Sequence, residues 1–150
     1  MRMTHFSAGA LAALVTFAVG ASAITAQPRR APATAPLFPL SERDLGATRQ
    51  SGCECTFRAG RHTTLFQMIG DEVTIRTRAG RQVCAISAEQ FSALSNDRGV
   101  AACGGLRMSF RRTGRVSSHP QSDSADWPAS LTVQQGRTRR TLAGRFGCAC

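Results

Sequence analysis

After residue 50, hydrophobic and polar residues alternate along most of the chain, with the period of two that is typical of half-buried β-strands. In residues 106–112, for example, the apolar residues at 106, 108 and 110 point to one side, and Arg107, Ser109 and Arg111 point to the other. The pattern predicts strands over residues 53–58, 63–69, 72–78, 82–86, 106–112, 116–118, 129–134 and 137–146. Turn residues separate these short runs, so we expect a mainly β fold, a small antiparallel β-sandwich or barrel.

One segment breaks the alternation. Ser87 followed by Gln90 matches a capping box, and Phe91 with Leu94 forms a one-sided apolar stripe. We therefore predict one short helix over residues 87–94, inserted between strands.

The first 50 residues differ from the rest. Residues 1–23 have a short basic start, an apolar run and a small-residue cleavage site, which indicates a signal peptide and leaves no membrane-spanning segment after cleavage. Residues 24–50 are rich in proline and alanine, which favours a flexible arm. The alternative is that Leu37, Phe38 and Leu40 dock on the domain formed by residues 51–150.

The chain has a net charge of +10, and all of its 19 basic residues are arginine. Such a charge attracts anionic partners, an anionic envelope component among them. The absence of lysine and tyrosine also fits a GC-rich coding bias, which requires no ligand. Specific nucleic-acid binding is not expected, since stacking aromatic residues are not interleaved with the arginines.

Two close cysteine pairs begin and end the domain. If the first and last strands are antiparallel neighbours, Cys53 lies opposite Cys150 and Cys55 opposite Cys148, within disulfide range. Cys84 and Cys103, which flank the predicted helix, then form a third disulfide. The alternative is a thiolate metal site made by the four terminal cysteines. Export to an oxidising compartment favours disulfides.

The polar segment 119–126 is a candidate binding loop. It contains His119, Asp123 and Asp126, and Trp127 stands at its edge. The same composition fits an inert solvated loop, and Trp127 fits either a core anchor or an exposed contact. Histidines and acidic residues form no recognisable catalytic motif, so we expect no catalytic residue and no cofactor.

The Gly-Cys-x-Cys motifs at 52–55 and 147–150, together with the basic alternating strand 106–110 and the run 129–133, resemble those of a group of small, exported, uncharacterised bacterial proteins. The resemblance covers residues 51–150 and implies no activity; the middle, with Cys84 and Cys103, departs from it.

These observations favour an exported protein, periplasmic or secreted, that is a non-enzymatic binding or structural module of the bacterial cell envelope. Its partner would be an anionic envelope component or a protein. One alternative is a periplasmic inhibitor that presents the 119–126 loop to a lysozyme-type enzyme. The other is a thiolate metal-binding or redox protein.

Overall fold

The structure, a computed structural model, describes residues 36–46 and 52–150. The elements in chain order are helix α1 (Glu42–Gly46), strands β1 (Glu54–Arg58), β2 (Thr64–Ile69), β3 (Glu72–Thr77) and β4 (Gly80–Ala85), helix α2 (Ala88–Ser95), strands β5 (Ala101–Cys103), β6 (Leu106–Arg112) and β7 (Ser117–His119), a 3₁₀ turn (Pro120–Ser122), and strands β8 (Ser124–Gln135) and β9 (Thr138–Ala149). The predicted signal peptide, residues 1–23, lies outside the described residues.

The strands form one antiparallel sheet in the order β4-β3-β2-β1-β9-β8-β6-β5, with β7 paired to β8. The sheet curls until the edge strand β5 lies against β3 and β4. The result is a nearly closed barrel with one short helix, as the alternation predicts. Within the described chain, the two edge strands β4 and β5 are not joined by backbone pairing, so the barrel has one seam.

The barrel interior is filled by the inward-facing residues of most of the larger strands, and the ring of Phe110 lies close to three other aromatic rings there. The ring of Phe110 lies 4.5 Å from that of Phe146, 4.9 Å from Phe66 and 5.9 Å from Phe57. Three of these four rings are fully buried, and Phe110 is 5% exposed. Packing of this kind holds β1, β2, β6 and β9 around a common core.

Most predicted strands are confirmed, and β6 has the predicted bounds. The last hairpin is longer than predicted, because β8 begins at Ser124 and β9 continues to Ala149. Residues 117–119 pair with 124–126, which converts part of the predicted loop into strand. The three-residue β5 was not predicted, since two alanines and a cysteine carry no visible alternation.

The predicted helix is confirmed as α2, one residue further along than expected. Ser87 Oγ accepts a hydrogen bond from the Gln90 N–H at 3.1 Å, and Gln90 Oε1 accepts one from the Ser87 N–H at 2.9 Å. This reciprocal pair is the capping box. Leu94 is fully buried, so the apolar stripe anchors the helix to the core.

The described part of the proline-rich segment packs on the barrel. Leu37 and Leu40 are buried. The Phe38 N–H donates to the Arg76 carbonyl at 2.9 Å, and the Leu40 N–H donates to the Thr64 carbonyl at 2.8 Å. Residues 36–46 therefore dock on the barrel, which was the alternative to a flexible arm. They can do so because the ends of β2 and β3 offer free carbonyl groups. Residues 24–35 and 47–50 of the predicted arm lie outside the described residues.

Asp44, in α1, fixes this docked segment. Its carboxylate accepts hydrogen bonds from the Ser41 N–H at 2.8 Å and from Arg76 Nη1 at 2.6 Å. The Ser41 backbone bond, with Arg76, holds the pKa of Asp44 below its usual range. Among the helices of the described residues, none is long and apolar enough to cross a membrane.

Candidate functional site

Two disulfides join the chain at the start of β1 to the chain at the end of β9, in the predicted pairs. The outer disulfide is Cys53–Cys150 and the inner disulfide is Cys55–Cys148, with sequence separations of 97 and 93 residues. The strand register places Cys55 directly opposite Cys148, so the two disulfides are successive rungs on one face. They fasten the two ends of the barrel domain to each other.

The seam disulfide, Cys84–Cys103, is also formed as predicted, with a separation of 19 residues. Its position gives it a role that the sequence did not predict. Cys84 lies on β4 and Cys103 on β5, the two edge strands of the sheet. The disulfide thus crosses the seam where backbone hydrogen bonding stops, and it closes the barrel covalently.

The three disulfides use all six cysteines of the chain. A thiolate metal site at Cys53, Cys55, Cys148 and Cys150 would require reduction of both terminal disulfides. In the part of the chain that the structure describes, no three histidine, cysteine or acidic side chains are grouped as a metal site.

The predicted binding loop is a short hairpin formed by β7, the 3₁₀ turn and the start of β8. Asp123 closes the 3₁₀ turn with a left-handed backbone, φ 43°, and its side chain is exposed. His119 Nε2 lies 3.4 Å from Asp126 Oδ1. Asp126 is therefore brought together with His119, whereas Asp123 belongs to the exposed tip.

Arg145, on β9, completes this cluster and was missed from the sequence. Its Nε donates to Asp126 Oδ2 at 2.6 Å, and this hydrogen bond holds the pKa of Asp126 below its usual range and raises that of Arg145. Gly147 makes the contact sterically possible, since a Cβ at Gly147 would lie 2.7 Å from Asp126 Cβ. The cluster borders an open polar groove of 340 Å³ that also includes Glu54.

Trp127 does not belong to this surface, although we placed it with the candidate loop. Strand alternation turns it inward, and it is 5% exposed. Its Nε1 donates to Asp97 Oδ1 at 2.7 Å, while Arg112 lies 4.7 Å from its ring centroid and binds Asp97 Oδ2 at 2.7 Å. Trp127 is thus a core anchor that ties β8 to the end of α2.

A second surface is formed by the outward side chains of β6, β8 and β9, and we call it the basic face. Register places three rows across the strands: Arg107–Gln134–Arg139, Ser109–Thr132–Thr141 and Arg111–Ser130–Ala143. The hydroxyl groups of Thr132 and Thr141 lie 3.1 Å apart. Within the described ranges, Arg107, Arg111 and Arg139 form no ion pair. The basic face therefore carries uncompensated positive charge around a hydroxyl-rich centre.

Further along, the basic face meets the groove. Arg58 on β1 stands directly opposite Arg145 on β9, and both point outward. Asp126 neutralises Arg145, whereas Arg58 forms no ion pair with another described residue. Opposed like charges on a sheet are unfavourable, and the carboxylate of Asp126 relieves this repulsion by neutralising Arg145.

The chain matches no protein-family model, no curated protein and no solved structure. The resemblance to small exported bacterial proteins therefore stays a prediction.

Proposed function

We propose that the protein is an exported, non-enzymatic binding module of the bacterial cell envelope, periplasmic or secreted. The observation that carries the proposal is the seam disulfide, which closes the barrel where the hydrogen-bonded sheet is open. Together with the two terminal disulfides, it makes a rigid scaffold whose outward faces can bind a partner without rearrangement.

The disulfides also support export. Paired thiols persist in oxidising compartments and are reduced in the cytosol. A barrel that one disulfide closes at its seam, and that two more fasten at its chain ends, is suited to the periplasm or the medium. In those compartments each native disulfide typically adds about 2 to 5 kcal/mol to the free energy of unfolding of a small domain.

The ionisable groups of the described chain support a binding role over catalysis. The pKa is displaced for Asp44, Asp126 and Arg145, and in each case a hydrogen-bonded ion pair contributes to the displacement. Ion pairs of this kind position strands and loops. The His119 side chain is 56% exposed and the Asp126 side chain 20%, so their contact is not placed in the dry pocket that tuned acid-base chemistry requires.

Fractionation of a bacterial host that expresses the full chain tests the proposal. We expect the protein in the periplasm or medium, shortened by its first 23 or so residues and without free thiols. A matched variant with Leu11→Arg and Leu14→Arg interrupts the apolar run, so it should stay in the cytosol with reduced cysteines. A wild-type protein that remains full-length and reduced in the cytosol would contradict the proposal.

A second candidate function is inhibition of a lysozyme-type enzyme by the β7–β8 hairpin. Residues 117–123 are all exposed, and flanking strands hold them, which is the arrangement of a rigid inhibitory loop. Replacement of residues 120–123 by glycine and serine leaves the paired strands intact. Loss of lysozyme inhibition in this variant would support the second candidate, and a wild-type protein without any inhibition would exclude it for the lysozyme tested.

A further inference from the structure

We propose that the basic face binds an acidic polysaccharide, with sugar carboxylates on its arginines and sugar hydroxyls on its central serines, threonines and Gln134. The proposal rests on the binding role proposed above and names the ligand for it. It begins from the charge of the face. Every ionisable outward side chain of β6, of β9, and of β8 from Pro128 onward is an arginine.

The charge on this face is available to a ligand. Two arginines of the barrel are held by acidic residues and are not available in this way: Arg76 by Asp44, and Arg112 by Asp97. Arg107, Arg111 and Arg139 are exposed and form no ion pair with another described residue. Free guanidinium groups bind carboxylates with two parallel hydrogen bonds, which favours planar anions.

The spacing of these arginines favours an extended ligand. Arg107 and Arg111 are four residues apart on β6, or about 13 Å at the rise of a strand. Arg107 and Arg139 flank β8, so their Cα atoms are about 10 Å apart. A small anion covers only part of this area, whereas a polymer with repeated acidic groups can contact all three arginines.

The centre of the face favours a sugar polymer. Between the arginines lie the outward hydroxyl groups of Ser109, Ser130, Thr132 and Thr141. Hydroxyl groups donate and accept hydrogen bonds, so they pair with sugar hydroxyls in either sense. The Thr132–Thr141 contact of 3.1 Å holds two of them in place.

The same face is poorly suited to two other polyanions. Its three rows contain no aromatic side chain on which nucleobases could stack. They also contain no large apolar side chain that could insert between lipids, which anchors peripheral proteins more firmly than charge alone. An acidic glycan needs neither feature.

Fluorescence anisotropy with end-labelled polygalacturonate tests the proposal on the exported, oxidised protein. The face variant carries Arg107→Gln, Arg111→Gln and Arg139→Gln. The control variant carries Arg61→Gln, Arg78→Gln and Arg98→Gln, which removes the same charge from exposed turn residues outside these strands. Fluorescence of Trp127 verifies that both variants are folded.

We expect the wild type and the control variant to bind polygalacturonate, and the face variant to bind at least about tenfold more weakly. Wild-type affinity should fall about tenfold between about 50 and 200 mM salt, and this dependence should be shallower for the face variant. Neutral dextran should not compete.

Equal losses in the two variants would overturn the proposal, because net charge alone would then explain binding. It would also be overturned if oligothymidylate or phosphatidylglycerol vesicles bound more tightly than polygalacturonate, or if polygalacturonate did not bind. These outcomes leave the thiol and export measurements unchanged, so they separate failure of the ligand assignment from failure of the proposed function.

Discussion

Removal of the seam disulfide, by Cys84→Ala with Cys103→Ala, should destabilise the protein more than removal of the outer disulfide, by Cys53→Ala with Cys150→Ala. The sequence separations alone suggest the reverse, since the outer disulfide encloses 97 residues and the seam disulfide 19. The prediction follows from how the three disulfides are nested.

The magnitudes follow from the chain-entropy model of the unfolded state. A loop of about 20 residues gives the seam disulfide about 3 kcal/mol. The inner disulfide, with a separation of 93 residues, already joins the two chain ends when the outer disulfide is added. The outer disulfide then closes an additional ring of only about six residues, which contributes about 2 kcal/mol. Removal of both terminal disulfides releases the long loop and should cost about 7 kcal/mol.

Equilibrium unfolding in guanidinium chloride under non-reducing conditions measures these differences. Trp127, the only tryptophan, is buried and reports the loss of the core. We expect the outer-disulfide variant to be more stable than the seam variant by about 1 kcal/mol. An outer-disulfide variant as unstable as the seam variant, or more so, would refute the nesting argument.

Three further predictions concern single side chains. Gly147→Ala should cost about 1 to 3 kcal/mol by thermal unfolding, because the new Cβ would lie 2.7 Å from Asp126 Cβ, while Gly46→Ala, with no atom within 4 Å, should change stability little; equal effects would refute the steric reasoning. Arg145 lowers the pKa of Asp126 in the folded state. Ionisation of Asp126 therefore stabilises the fold fully above the unfolded-state pKa of about 3.9, and this contribution is lost as the pH falls through the lower pKa that Asp126 has in the folded state. Asp126→Asn should therefore lower the free energy of unfolding at neutral pH and make that free energy less dependent on pH in the acid range. The same loss of stability on acidification in the variant and the wild type would contradict this. Trp127→Phe keeps an aromatic ring but removes the indole donor, and a loss of about 1 to 2 kcal/mol in chemical unfolding is expected, whereas no loss would show that the hydrogen bond is dispensable.

Features that depend on local periodicity could be predicted from the sequence. The alternation in residues 106–112 gave β6 its bounds, and Ser87 with Gln90 gave the capping box. The terminal disulfides could also be predicted, since residues two apart on a strand share a face and the first and last strands of a barrel are natural neighbours.

Features that depend on strand order could not be predicted. The seam position of Cys84 and Cys103 appears only once β4 and β5 are known to be the sheet edges. Asp126 meets Arg145 through the β8–β9 register and the missing side chain of Gly147, which no local pattern indicates. Docking of residues 36–46 could be given only as an alternative, because it also depends on backbone carbonyls of distant strands, which carry no sequence signal.

The basic face illustrates the same limit. Composition showed the excess of arginine, and coding bias explained it equally well. Only the register, with its rows of unpaired arginines beside hydroxyl groups, distinguishes this surface from a general charge excess.

Disulfide mapping by mass spectrometry of the unreduced, alkylated protein from its native compartment tests the central claim most directly. We predict a peptide pair linked through Cys84 and Cys103, a second set linking residues 53–55 to residues 148–150, and no alkylated cysteine. Alkylation of Cys84 and Cys103, or four free terminal thiols with bound metal, would contradict a barrel closed by disulfides.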